Sequence, residues 1–153
     1  MDATINPPPG LGAPRAGSRT ARLAAAAGRL LLGLTFTVTG LNGFLNFLPQ
    51  PKTPIPAGAM ALAGAFLQSG YLFQLVAGTQ LVAGLLLVSN RFVPLALVLI
   101  APVIVNILSF HAFLAPSGLG IASALVLVEA GLAWSYREAF RPMLARRAAP
   151  GPW

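Results

Sequence analysis

The stretch from Pro94 to Pro116 reads PLALVLIAPVIVNILSFHAFLAP, a long apolar run interrupted by Asn106 and His111, and His111 is the sole histidine of the chain. About 20 consecutive apolar residues span a bilayer, so this run is expected to cross one, beginning near Phe92 just after Arg91. An imidazole and an amide inside such a segment are costly against lipid, so they must face protein or a wet cavity. What faces them is the central question posed by this sequence.

Composition agrees with a membrane chain. Charged residues make up 8% of the 153 positions, where soluble domains carry about 25%. The formal charge of +7 does not point to nucleic acid, because four of the ten Lys and Arg precede Leu30 and four follow Tyr136. That is the distribution of juxtamembrane flanks meeting anionic headgroups, so membrane lipid is the expected partner. No cysteine is present, which excludes thiol catalysis, iron–sulfur ligation and any Cys-built zinc site. A single histidine likewise excludes a bis-histidine haem site within one protomer, and no metal or other intrinsic cofactor is expected.

The fold expected is an all-α membrane protein: a four-transmembrane-helix bundle with a short interfacial helix between the first and second spans. Residues 1–21, rich in Pro, Gly and Ala, are expected to form a disordered cytoplasmic tail, with 22–145 the membrane domain and 146–153 a short basic, Pro-containing tail. No secretory signal fits, so the first span is expected to act as an uncleaved anchor. It runs from Leu23 or Leu30 to Leu48, and Thr35, Thr39, Asn42 and Asn46 fall on one helical face within it. Gly33, Gly40 and Gly43 would let a neighbouring helix approach closely.

The prolines at 49, 51, 54 and 56 make a rigid connector. AGAMALAGAFLQSG is apolar but too short to span, which suggests an interfacial or re-entrant helix. The second span covers Tyr71–Val88, the third Phe92 to about Leu114, and the fourth Leu119–Tyr136. YREAFRPMLARR then reads as a short helix lying on the headgroups, with Trp134 and Tyr136 at the interface. With four spans, nine basic residues share the side of the two termini and Lys52 stands alone on the other. The positive-inside rule then places both termini in the cytoplasm, and the bilayer expected is a bacterial inner membrane.

At about 1.5 Å per residue, Asn42, Gln80, Asn106 and Glu129 come to similar levels in the outer half of the bilayer, with His111 nearer the outer surface, and these five are the candidate pocket residues. One shared polar pocket is the sharper reading; interhelical hydrogen bonding is the plainer one. Glu129 is the sole acid in any span. Unpaired, it is expected to be protonated, or hydrogen-bonded to Asn106, Gln80 or the Tyr71 hydroxyl, with His111 as a partner in any proton relay.

The runs RLLLGLTFTVTGLNGFLNFLP, TQLVAGLLLVSNRFVPLALVLIAPVIVNILSFHAFLAPSG and LAWSYREAFRPML resemble DoxX-like small membrane proteins across about residues 28 to 145. RFVPLAL, APVIVNILSFHAFLAPSG and AWSYREAF are the most specific parts. The resemblance implies a four-helix bundle associated with membrane redox and oxidative-stress complexes, the family being named for a subunit linked to a thiosulfate:quinone oxidoreductase. Similar members often carry Glu where this chain has Gln80, so a two-carboxylate proton path is not implied here.

The resulting expectation is a subunit of a quinone-linked redox system with no catalytic residues of its own. Its ligand would be a quinone or lipid-like molecule and its partner a redox protein. A ligand-free assembly scaffold and a small transporter are the alternatives. No inverted repeat supports the transporter, and no nucleophile–base pair, phosphate loop or metal motif supports a stand-alone enzyme.

Overall fold

The computed structural model describes residues 18–49 and 54–144. The remaining parts of the expected tails, and Lys52, lie outside the described residues. Helix α1 spans Arg19–Leu45, α2 Ala57–Gln68, α3 Leu72–Val88, α4 Val93–Phe113, α5 Leu119–Ser135 and α6 Arg137–Phe140. Short 3₁₀ turns cover Pro116–Gly118 and Arg141–Leu144, and no strand occurs among the described residues.

Local chemistry sets the boundaries. Ser18 caps α1 by accepting the Ala21 N–H at 3.2 Å, so the helix starts at Arg19, three residues before the expected edge of the tail. It ends three residues earlier than expected, because Asn46 adopts a left-handed conformation (φ 48°) tolerated by its short amide side chain. Pro54 and Pro56 cannot continue a helix, and α2 begins directly after them. Gly70 (φ 75°) separates α2 from α3, and the two helices meet at 91°. Asn90 and Phe92, both left-handed, form the tight turn into α4.

Three segments are long and apolar enough to cross a membrane: Arg19–Leu45, Val93–Phe113 and Pro116–Ser135. The 17-residue α3 and the bent-off α2 make a fourth apolar pair. These helices are apolar nearly all round, as expected where one face meets protein and the other lipid. Leu31, Leu34, Val38, Leu41 and Leu45 stay exposed along α1 while Leu32 and Phe36 are fully enclosed.

Helix α1 runs antiparallel to α3 and touches it more extensively than any other pair. Gly40 and Gly84 make this possible. A Cβ added at Gly40 would lie 2.5 Å from the Leu81 amide nitrogen and 2.8 Å from the Ala77 carbonyl oxygen. At Gly84 it would meet the Thr37 backbone and lie 2.9 Å from the Gly33 carbonyl. Close backbone approach through small residues is how helices associate where lipid removes the hydrophobic drive.

Helix α4 packs on α3, α5 packs on α4 and returns to α1, and the end of α5 lies beside Gly28. The enclosed apolar core (Leu32, Phe36, Ala83, Leu87, Ala96, Leu97, Ile100, Ile104 and Leu132) fills the half of the bundle nearest the α3–α4 turn. The other half, beneath α2, holds smaller buried residues (Ala59, Ala77, Ala115 and Ala122) and two cavities.

Candidate functional site

Helix α2 crosses the open end of the bundle. A Cβ on Gly58, near its start, would lie 3.1 Å from Leu114 at the end of α4, and its C-terminus leads into α3. Two cavities lie beneath it, each of about 240 Å³. The first is walled by Leu62, Ala63, Phe66 and Leu67 of α2, Phe73 of α3, and Asn106, Ile107, Phe110 and His111 of α4. The second is walled by Thr39, Asn42 and Gly43 of α1, Phe66 of α2, and Phe73, Val76, Ala77 and Gln80 of α3. Phe66 and Phe73 belong to both, so two rings on either side of the α2–α3 bend form the partition.

The expected pocket residues divide accordingly. Asn106 and His111 share the first cavity; Asn42 and Gln80 share the second. Glu129 lines neither, and among the described residues no hydrogen bond joins it to Asn106, Gln80 or Tyr71. Its half-buried position on α5 follows Val128, which packs towards Gly28 of α1. Depth alone does not make the split, since Asn106 and Gln80 lie at nearly one level yet line different cavities; the direction each helix face takes does. His111 lies roughly 3 Å and Asn106 roughly 10 Å from the end of α4, Gln80 roughly 12 Å from the start of α3, and Glu129 roughly 15 Å from the start of α5.

His111 is held by the sequence that follows it. Its Nδ1 lies 2.9 Å from the Ala115 carbonyl oxygen, where it must donate. Its ring stands edge-on to Phe110 at a centroid distance of 5.2 Å and an interplanar angle of 88°. The ring also rests directly on Gly118, where an added Cβ would lie 2.8 Å from Nε2 and closer to the other ring atoms. With Nδ1 committed as a donor, the neutral ring presents Nε2 as an acceptor. Asn106 is exposed on the same wall, one and a half turns away, with an amide that both donates and accepts.

The second cavity is more self-contained. Asn42 accepts the Leu48 N–H on Oδ1 at 2.7 Å, and its carbonyl accepts the Asn46 N–H at 2.8 Å, so this residue fastens the end of α1. The Thr39 hydroxyl lies 2.8 Å from the Gln80 amide and 2.9 Å from the Thr35 carbonyl. If the amide NH₂ faces the hydroxyl, both bonds are satisfied at once and α1 is tied to α3.

Sequence reasoning missed Phe66, Phe73 and Gly118. The first two sit three residues either side of Ser69-Gly70, so a bend between two aromatics was the available signal. Gly118 closes the HAFLAPSG motif, and its role becomes visible only when the chain folds back on His111. No group of three or more His, Cys, Asp or Glu occurs among the described residues in a metal-holding arrangement. The first cavity can accommodate an apolar ring and offer it two polar contacts.

Comparison of the chain with family models, curated proteins and solved structures returned no match.

Proposed function

We propose that this chain is a DoxX-like membrane protein that holds the ring of a quinone-class lipid beneath α2 and serves as an accessory to a membrane redox system. The observation that carries the reading is the first cavity: an almost wholly apolar chamber whose polar contacts are Asn106 and an oriented His111. Its volume of about 240 Å³ is slightly below the ~300–1,000 Å³ of pockets that enclose whole ligands. It therefore suits a ring headgroup whose isoprenoid chain remains in lipid. The chain has no cysteine to carry electrons, and on this reading the redox centre resides on the ligand and on a partner protein.

The same reading takes α3 as a fourth span. It lies between α1 and α4, both long enough to cross, and 17 residues rise about 25 Å. Helix α2 then lies at the outer surface, and the arginine-rich ends face the cytoplasm of a bacterial inner membrane.

The test is small-molecule mass spectrometry of the protein purified in native-lipid discs, beside Asn106→Leu and His111→Phe. Quinone enriched over bulk lipid in the wild type, and reduced about tenfold in either folded variant, supports the reading; a tenfold change corresponds to about 1.4 kcal/mol. Quinone at its bulk proportion in all three samples refutes it. A ligand-free scaffold would then be favoured, and the Thr39–Gln80 and Asn42–Leu48 contacts already satisfy one cavity's polar groups internally.

A further inference from the structure

At the opposite end of the bundle from α2, a cavity of about 700 Å³ opens between the start of α1 and the α5–α6 junction. We propose that it binds a phosphate-bearing anion, supplied in the membrane by the headgroup of an anionic phospholipid, through Arg22, Arg29 and Arg137. Asn90, Trp134 and Tyr136 complete the walls that matter to the argument. The inference requires that the chain sits in a membrane, but it does not depend on the quinone cavity.

Charge is the first argument. Three arginines line the cavity against one carboxylate, Glu138. That carboxylate is already engaged by Arg141 at 2.8 Å and lies 3.7 Å from Arg137 Nε. Among the described residues, Arg22 and Arg29 have no acidic partner. An anion from outside the chain is the missing counter-charge, and guanidinium groups suit phosphate because their planar donors match its oxygens.

Arg29 is also held in place. Its Nη1 donates to the Leu87 and Val88 carbonyls at the end of α3, the latter at 3.2 Å. Those carbonyls are neutral acceptors at the helix C-terminus that the donation partly satisfies, so the guanidinium keeps its charge and the donors on Nη2 and Nε. Arg22 lies two turns earlier on the same face of α1, roughly 10 Å towards the helix start.

Arg137 is similarly positioned, donating to the Trp134 carbonyl at 3.1 Å with its guanidinium 5.3 Å from the Trp134 ring centroid. Trp134 and Tyr136 are of the two residue types enriched at headgroup level. A diffuse basic flank would need none of this arrangement.

The protein is exchanged into discs of equal phosphatidylglycerol and phosphatidylcholine, delipidated gently in maltoside detergent, and its retained lipid counted by native mass spectrometry. Arg22→Gln is the site variant, since Arg22 is exposed and its side chain makes no hydrogen bond among the described residues. Arg19→Gln, one turn away on α1 and outside the cavity lining, is the charge-matched control. A second arm titrates inorganic phosphate in phospholipid-free micelles, read by Trp134 emission in a Trp153→Phe chain.

The expected result is selective retention of phosphatidylglycerol, reduced about fivefold by Arg22→Gln and little by Arg19→Gln. An equal loss in both variants means diffuse attraction and overturns the site. No phosphatidylglycerol preference together with no response to phosphate overturns it as well. An Arg22-dependent response to phosphate without lipid retention upholds the phosphate site and overturns its membrane source.

Discussion

His111 donates its Nδ1 proton to the carbonyl of Ala115, four residues onward, at 2.9 Å. The bond turns a titratable ring into a directional one. While the imidazole is neutral, Nε2 carries the lone pair and accepts. A quinol offers hydroxyl protons and an oxidised quinone offers none, so the first cavity should prefer the reduced ligand. One net hydrogen bond contributes about 0.5–1.5 kcal/mol, which corresponds to a severalfold lower Kd for the quinol. Titrating a short-chain quinone and its quinol into the protein in micelles checks this. Equal affinity for both would remove His111 from the contact.

Gly118 supports the same ring from below. Its φ of −93° is negative, so Gly118→Ala demands no left-handed backbone. The added methyl group would nevertheless occupy the space of the His111 ring. Overpacking of this kind costs about 1–3 kcal/mol, or else the ring moves and its bond to Ala115 breaks. The nitrogen NMR signals of His111 distinguish the two tautomers. We expect Gly118→Ala to lose the single Nδ1–H form while the helical content stays unchanged.

The α1–α3 seam makes a harsher prediction. At Gly40 the obstacles to a side chain are backbone atoms of Ala77 and Leu81, which cannot swing aside as a side chain can. Gly40→Val should therefore force the helices apart and lower stability by at least about 2 kcal/mol. Gly64→Val, at a position with nothing within 4 Å of an added Cβ, serves as the control. Thermal unfolding in detergent should separate the two variants clearly.

Thr39 and Gln80 allow binding and structure to be told apart in the second cavity. If their contact at 2.8 Å ties α1 to α3, Thr39→Val and Gln80→Leu will each destabilise the bundle. The double variant should then reveal a coupling of about 0.6–2 kcal/mol. If Gln80 instead serves a ligand, Gln80→Leu will lower its occupancy while the coupling stays near zero.

Much of the architecture was legible because hydrophobic runs and their punctuation are local. Ser89-Asn90-Arg91 and Ala115-Pro116-Ser117-Gly118 mark two turns, and α3, α4 and α5 begin and end within a residue of their expected positions. The end of α1 was less legible, because Asn46 stops it through a backbone conformation that composition does not reveal. The site was legible only in part. Residue spacing gives depth along a helix, so Asn42, Gln80, Asn106 and Glu129 were expected near one level with His111 closer to the surface; Asn42, Gln80, Asn106 and His111 line the two adjoining cavities, and Glu129 does not. Spacing cannot give the angle at which each helix faces its neighbours, and that angle places Phe66 and Phe73 between the two pairs.

Glu129 puts this distinction to its most direct test. As the sole acid in any span it drew the strongest expectation from sequence, yet it is half-buried on α5 and lines neither cavity. Glu129→Gln keeps the shape and hydrogen-bonding capacity of the side chain while removing its ability to ionise. We expect quinone occupancy in native-lipid discs to stay within about twofold of wild type, whereas Asn106→Leu lowers it about tenfold. Mass spectrometry of the extracted ligand reads both variants in one experiment. A loss in Glu129→Gln as large as that in Asn106→Leu would mean that the acid reaches the ligand after all.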